Sequence, residues 1–150
     1  DRRMSMMETV REFICQCPFL KNGFLNVNYL GPYPTEYVIE RVAADEVLKE
    51  YSDSGKLKQF VFSFASREWI GKNVEENQKI VQFYENFAGW LDEMSAAGRL
   101  PVLGEGKTAQ SIGAISAGAM SNLSGDSAKY QIRCRLIYYE GGDNVWQEKN

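Results

Sequence analysis

Phe60, Phe62 and Phe64 fall at every second position, whereas Ile80, Tyr84, Phe87, Leu91 and Met94 recur at intervals of three and four. The first spacing predicts a strand over 56–65 with one buried face. The second predicts a helix with one apolar stripe. Asn73, with Glu76 three residues on, suits the start of that helix, and Glu75 and Glu76 suit the positive end of its dipole. Gly98 followed by Pro101 suits its end. Gly89 lies inside it at about 1 kcal/mol relative to alanine, which implies close packing there or simple tolerance. A long strand followed by a long amphipathic helix makes a sheet with a helix packed across it.

The rest of the chain supplies a second helix and further strands. Residues 5–15 predict a helix with a Ser5–Glu8 capping box, an apolar side of Met6, Val10, Phe13, Ile14 and Cys17, and a stop at Pro18. Residues 21–34 are loop-like, with an Asn22-Gly23 turn, a short alternation at Leu25, Val27 and Tyr29, and stiffening by Gly31, Pro32 and Pro34. Residues 37–42 predict a half-exposed strand flanked by Glu36 and Glu40. Residues 43–51 fit a helix with Val47, Leu48 and Tyr51 on one side. They also fit a strand paired with 56–65 across Ser52-Asp53-Ser54-Gly55, and the glycine-ended turn favours the hairpin. Residues 103–107 read as a flexible joint. The small-residue run 108–120 reads as one strand, at an edge or against other backbones. Residues 122–127 form a turn. Residues 129–139 alternate most clearly: Tyr130, Ile132, Cys134, Leu136 and Tyr138 on one face, Gln131, Arg133, Arg135, Ile137 and Tyr139 on the other. The predicted fold is α+β, a mainly antiparallel sheet covered by one long helix plus an N-terminal helix. It forms a single domain over 1–150 with a flexible tail at 141–150, in which Val145 and Trp146 could dock on a neighbour.

Composition narrows the function. The chain has 150 residues, 44% hydrophobic and 25% charged, enough for one domain burying about 70% of its extended surface. A net charge of −3 argues against a protein that grips nucleic acid. Cys15, Cys17 and Cys134 make an odd set that reads as reduced thiols rather than a disulfide framework. Cys15 and Cys17, two apart, point in different directions on a helix and do not suit one metal. No apolar run reaches the ~20 residues of a membrane span, and no charged-then-apolar leader opens the chain, so no secretory signal is expected. Histidine is absent. Ser-His-Asp and Cys-His machinery and His-ligated zinc are therefore excluded, and acid–base chemistry near neutral pH would need a strongly shifted Glu, Asp, Lys or Cys.

Gly106-Lys107-Thr108 resembles the end of a phosphate-binding loop, but Pro101 stands where that pattern needs its first glycine, and a helix precedes rather than follows. A hinge into a strand accounts for it. The acidic pairs Glu75–Glu76 and Asp92–Glu93 belong to a solvated helix face or cap. Asn122-Leu123-Ser124 has the glycosylation spacing without a secretion signal. Arg133 and Arg135 share one face of a regular strand, and Arg67 and Lys107 fall at the ends of neighbouring strands. These residues fit a solvated outer face, or else a subunit contact or channel wall. Trp69, just past a strand end, and Trp146 fit interface anchors or ordinary packing.

Several stretches resemble a family of small proteins of phages and prophages of Gram-positive bacteria, labelled minor capsid or tail terminator proteins. They are CPFL at 17–20, NYLG at 28–31, PTEY at 34–37, FASRE at 64–68, LGEGKTAQ at 103–110 and YQIRCRLIYYE at 130–140. The resemblance runs over about residues 10–140 and contains no catalytic signature. It implies a tail terminator: an α+β subunit of a hexameric ring that caps the head-proximal end of the tail tube, stops its polymerisation and joins it to the neck. The implied partners are copies of the same chain, the tail tube protein, neck or connector proteins, and the sheath protein in a contractile tail. DNA passes through the ring without specific binding, and no cofactor or metal is implied. Assembly would take place in the bacterial cytoplasm, and the product would sit in the virion tail or a phage-like particle. A head-side connector or head-completion protein is the nearest alternative, and a small nucleotide-binding enzyme or a monomeric binding module the more distant ones. Arg67, Trp69, Arg133 and Arg135 are the residues expected at partner or subunit contacts.

Overall fold

The computed structural model describes residues 5–20, 25–27, 37–69 and 74–141, with side chains at 74–76, 122 and 124 left aside. Expectations for the Asn22-Gly23 turn, Tyr29, Gly31, Pro32, Pro34, the Asn73 cap with Glu75 and Glu76, and the tail beyond Gly141 with Val145 and Trp146 lie outside the described residues.

The chain is α+β with a mixed, mostly antiparallel sheet. Helix α1 (Met6–Ile14) starts at the capping box read from the sequence: Glu8 N–H donates to Ser5 Oγ (3.1 Å) and Ser5 N–H to Glu8 Oε1 (3.0 Å). Val10, Phe13, Ile14 and Cys17 are buried, whereas Cys15 is exposed. Strand β1 (Leu25–Val27) pairs in parallel with β2 (Tyr37–Arg41), the one parallel ladder among the described strands. Strand β3 (Val47–Glu50) then forms the hairpin with β4 (Lys56–Trp69). Asp53 accepts from Gly55 N–H within the turn, and Ser54 rather than Gly55 takes the left-handed conformation at φ 74°.

Helix α2 (Val74–Ala96) ends in a Schellman motif: Gly98 has φ 75°, its N–H donates to Ser95 C=O, and Arg99 N–H donates to Met94 C=O. Ile80, Tyr84, Phe87 and Leu91 are buried as the spacing predicts; Trp90 joins them, and Met94 is half-buried. Beyond it come β5 (Lys107–Ala114), β6 (Ala119–Ser124) and β7 (Ser127–Glu140).

Two strands organise the sheet. Strands β4 and β7, 14 residues each, pair antiparallel from Lys56 opposite Glu140 to Trp69 opposite Ser127. On the outer side of β4 run β2 and β3, two pieces of one interrupted track; on the outer side of β7 run β5 and β6, likewise interrupted. Phe60, Phe62 and Phe64 of β4 lie opposite Leu136, Cys134 and Ile132 of β7 and point at the helices. Phe64 stacks on Phe87 with ring centroids 4.4 Å apart, and Phe13 of α1 meets Trp90 of α2 at 5.3 Å. Both helices therefore lie on one face of the sheet.

Four expectations need correction. The strand from 56 does not stop at Ala65 but runs through Trp69, because β7 begins at Ser127 and offers a partner to every residue. The run 108–120 is two strands. They break at 115–118, where Gly118 presses on α2; a Cβ there would lie 2.7 Å from Tyr84 Cβ. The turn expected at 122–127 shrinks to Gly125-Asp126, with Gly125 at φ 61°. Strand β2 is not half exposed: Tyr37, Val38 and Ile39 are all buried, since each packs in the sheet interior beside β4.

Candidate functional site

In a strand, successive side chains point to opposite faces. The face away from the helices carries Val38 and Glu40 of β2, Gln59, Val61, Ser63, Ala65, Arg67 and Trp69 of β4, and Lys129, Gln131, Arg133 and Arg135 of β7. We refer to it as the open face, because no described helix covers it. All four residues expected at partner contacts, Arg67, Trp69, Arg133 and Arg135, lie on it. Arg67 and Trp69 are members of β4 rather than residues beyond its end, opposite Lys129 and Ser127. Lys107 does not join them. It pairs with Glu140 on the helix side, at the far end of the sheet.

The centre of the open face is made of small residues. Val61, Ser63 and Ala65 are buried although no described helix covers them. Long side chains from flanking strands reach over instead. Lys129 Nζ and Glu40 Oε1, from strands on either side of β4, pair at 3.1 Å close to Ala65. Arg135 Nη1 donates to Gln59 Oε1 at 3.4 Å, and Arg67 Nη1 to Ser127 Oγ at 3.5 Å. Arg133 is exposed, Arg67 and Arg135 are half-buried, and Trp69 keeps 62% of its surface exposed. Across β2, β4 and β7 this face thus holds four cations, Arg67, Lys129, Arg133 and Arg135, and one acid, Glu40. That is a positive field on a chain of net charge −3. Lys129 and Gln131 were legible as members of it, because they share the phase of Arg133 and Arg135.

On the helix side the chemistry is structural. Ser66 Oγ lies 2.6 Å from both Tyr84 Oη and Glu68 Oε2, and Tyr84 Oη lies 3.0 Å from Tyr130 C=O; the two hydroxyl protons serve two of these three contacts at a time. Burial drives the Tyr84 hydroxyl well above its ordinary value. Burial likewise pushes up the thiols of Cys134 and Cys17. Ser95 Oγ of α2 accepts from Ile112 N–H (2.8 Å) and donates to Ile112 C=O (2.7 Å), so the helix occupies part of the outer edge of β5.

Gly106-Lys107-Thr108 enters a strand. Gly106 sits at φ 79° in a turn held by Lys107 N–H to Gly104 C=O and Gly141 N–H to Gly106 C=O. A phosphate loop needs a helix N-terminus at that point, and β5 stands there instead. Asp92 and Glu93 are exposed on α2. Among the described residues no three His, Cys, Asp or Glu side chains are grouped to hold a metal ion, and no helix is long and apolar enough to cross a membrane. No protein-family model matches the chain, and no curated protein matches it.

Proposed function

We propose that the chain is a structural subunit of a phage or phage-like tail, forming a ring, hexameric by the family resemblance, that caps the head-proximal end of the tail tube. The observation that carries this reading is the open face: a sheet with helices on one side only, whose other side presents Arg67, Trp69, Arg133 and Arg135. Trp69 is exposed two residues from Arg67 at one end of this face, and Arg133 and Arg135 lie further along it; tryptophan and arginine are the residue types enriched at interfaces. Edge strands at two margins of the sheet, β3 with Val47 and Leu48 exposed and β6 with Met120 and Leu123 exposed, each paired on one side only among the described strands, add further contact surface. A ring needs contacts between unlike surfaces that close by rotation, and the chain offers unlike surfaces on its two faces and two margins. Tube, sheath and neck proteins are the partners that the resemblance supplies, and DNA would pass through the ring without specific binding.

The test is addition of the purified protein to tail tube protein polymerising from the same particle. The reading expects tubes of bounded length with a ring at one end. Tubes of unchanged length with no bound protein would contradict it.

A further inference from the structure

The open face and the outer surface of α2 carry opposite charge. Glu85, Asp92 and Glu93 are exposed along α2, with Lys79 the one exposed cation among the helix residues whose side chains are described. The last turn of α2 contains Glu93 and no base. Glu93 there faces the negative end of the helix dipole, an unfavourable arrangement that a cation docked against it would relieve. Gly89 lies between Glu85 and Glu93 on the same stripe, since residues four apart stack on a helix. A Cβ at Gly89 would meet nothing within 4 Å, so no packing among the described residues requires a glycine there.

We infer that the open face of one copy docks on the outer surface of α2 of the next, with Arg133 and Arg135 opposite Glu85 and Glu93, and Gly89 letting the sheet approach the helix backbone. This deepens the proposed function and rests on its claim that the chain assembles with itself. Strand β7, 14 residues and about 46 Å, is long enough to span α2, 23 residues and about 34 Å; the backbone separation of Arg133 and Arg135, about 7 Å, is shorter than the about 12 Å between Glu85 and Glu93, a difference that the long arginine side chains span by splaying. The contact joins unlike surfaces, the kind whose repetition closes a ring when the rotation between copies is a whole fraction of a turn. Each sheet would then lie between its own helices and a neighbour's α2, giving both faces a cover.

The experiment is sedimentation velocity on the whole chain at low and high salt, with thermal melts as a folding control. The wild type should self-associate at low salt, and at least tenfold more weakly at high salt. R133E/R135E and E85K/E93K should each fold, and each should lose association by tenfold or more. Mixed together they should recover it, because each supplies the surface complementary to the other. G89Q should weaken association while leaving the melt intact. A wild type that stays monomeric at every salt would overturn the inference. So would association that ignores all three variants; in that case the ring reading stands and only the surface assignment falls. Monomers that bind duplex DNA through Arg133 and Arg135 would make the open face a nucleic-acid surface instead. The tube-capping assay judges the ring reading separately.

Discussion

Lys58 of β4 and Glu140 of β7, diagonal neighbours with Glu140 opposite Lys56, pair with Nζ and Oε1 2.5 Å apart. The hydrogen bond from Lys58 holds the Glu140 carboxyl below its ordinary value of 4.5 and, in turn, raises the Lys58 ammonium above 10.5. A depressed carboxyl contributes stability that is fully present above about pH 4.5 and is lost as pH falls through its lowered value. The raised lysine contributes below about pH 10.5 and loses its share as pH rises through its own. E140Q should therefore be less stable than the wild type at pH 7, and the gap should narrow at pH 3 as the carboxyl begins to protonate. Urea melts at the two pH values check this; an equal gap at both would show that the pair contributes no pH-dependent stability. The thiols differ in the same local way. Cys15 is exposed and Cys17 and Cys134 are buried with raised values, so a thiolate-directed alkylating reagent should label one site in the native chain and three after denaturation. Fast labelling of Cys134 in the native state would contradict its burial.

Elements defined by local pattern were legible in the sequence. The capping box of α1, the Gly98 stop of α2 and the alternation of β7 each depend on neighbours a few residues away. What was not legible depends on partners far along the chain. Ser66-Arg67-Glu68 is polar and looks like a loop, yet it is strand, because β7 pairs with it and Tyr84 binds Ser66. The run 108–120 looks continuous, yet it breaks where Gly118 meets Tyr84, 34 residues earlier in the chain. G118A should thus destabilise the fold by about 1–3 kcal/mol through overpacking against Tyr84, measured by denaturant melts. G89A should do the opposite. With open space at that position it should stabilise the isolated chain by up to about 1 kcal/mol. A loss of stability in G89A would reveal intramolecular crowding at Gly89 and remove the reason for assigning that glycine to a neighbour.

At the scale of the whole molecule the sheet divides the chain into two kinds of surface. One face holds the helices, the aromatic core and the buried Ser66–Tyr84 bond. The other holds cations, one acid and an exposed tryptophan over small buried residues. The strand alternation at 129–139 made the pairing of Arg133 with Arg135 visible in advance. It did not show that Arg67 and Trp69 join them, since that requires the register between β4 and β7. The inside-out distribution of charge, basic on the sheet and acidic on the helix, follows only once both layers are in place. Contact between unlike surfaces is what the proposed ring requires of its subunit, and the two faces differ in that way.

The most direct test of that claim is negative-stain imaging of particles from a strain lacking this gene. The account predicts overlong or ragged tubes, with filled but tailless heads where heads exist. Tails of normal length on empty or leaking heads would move the protein to the head side of the neck, and intact, infectious particles would contradict a structural role altogether.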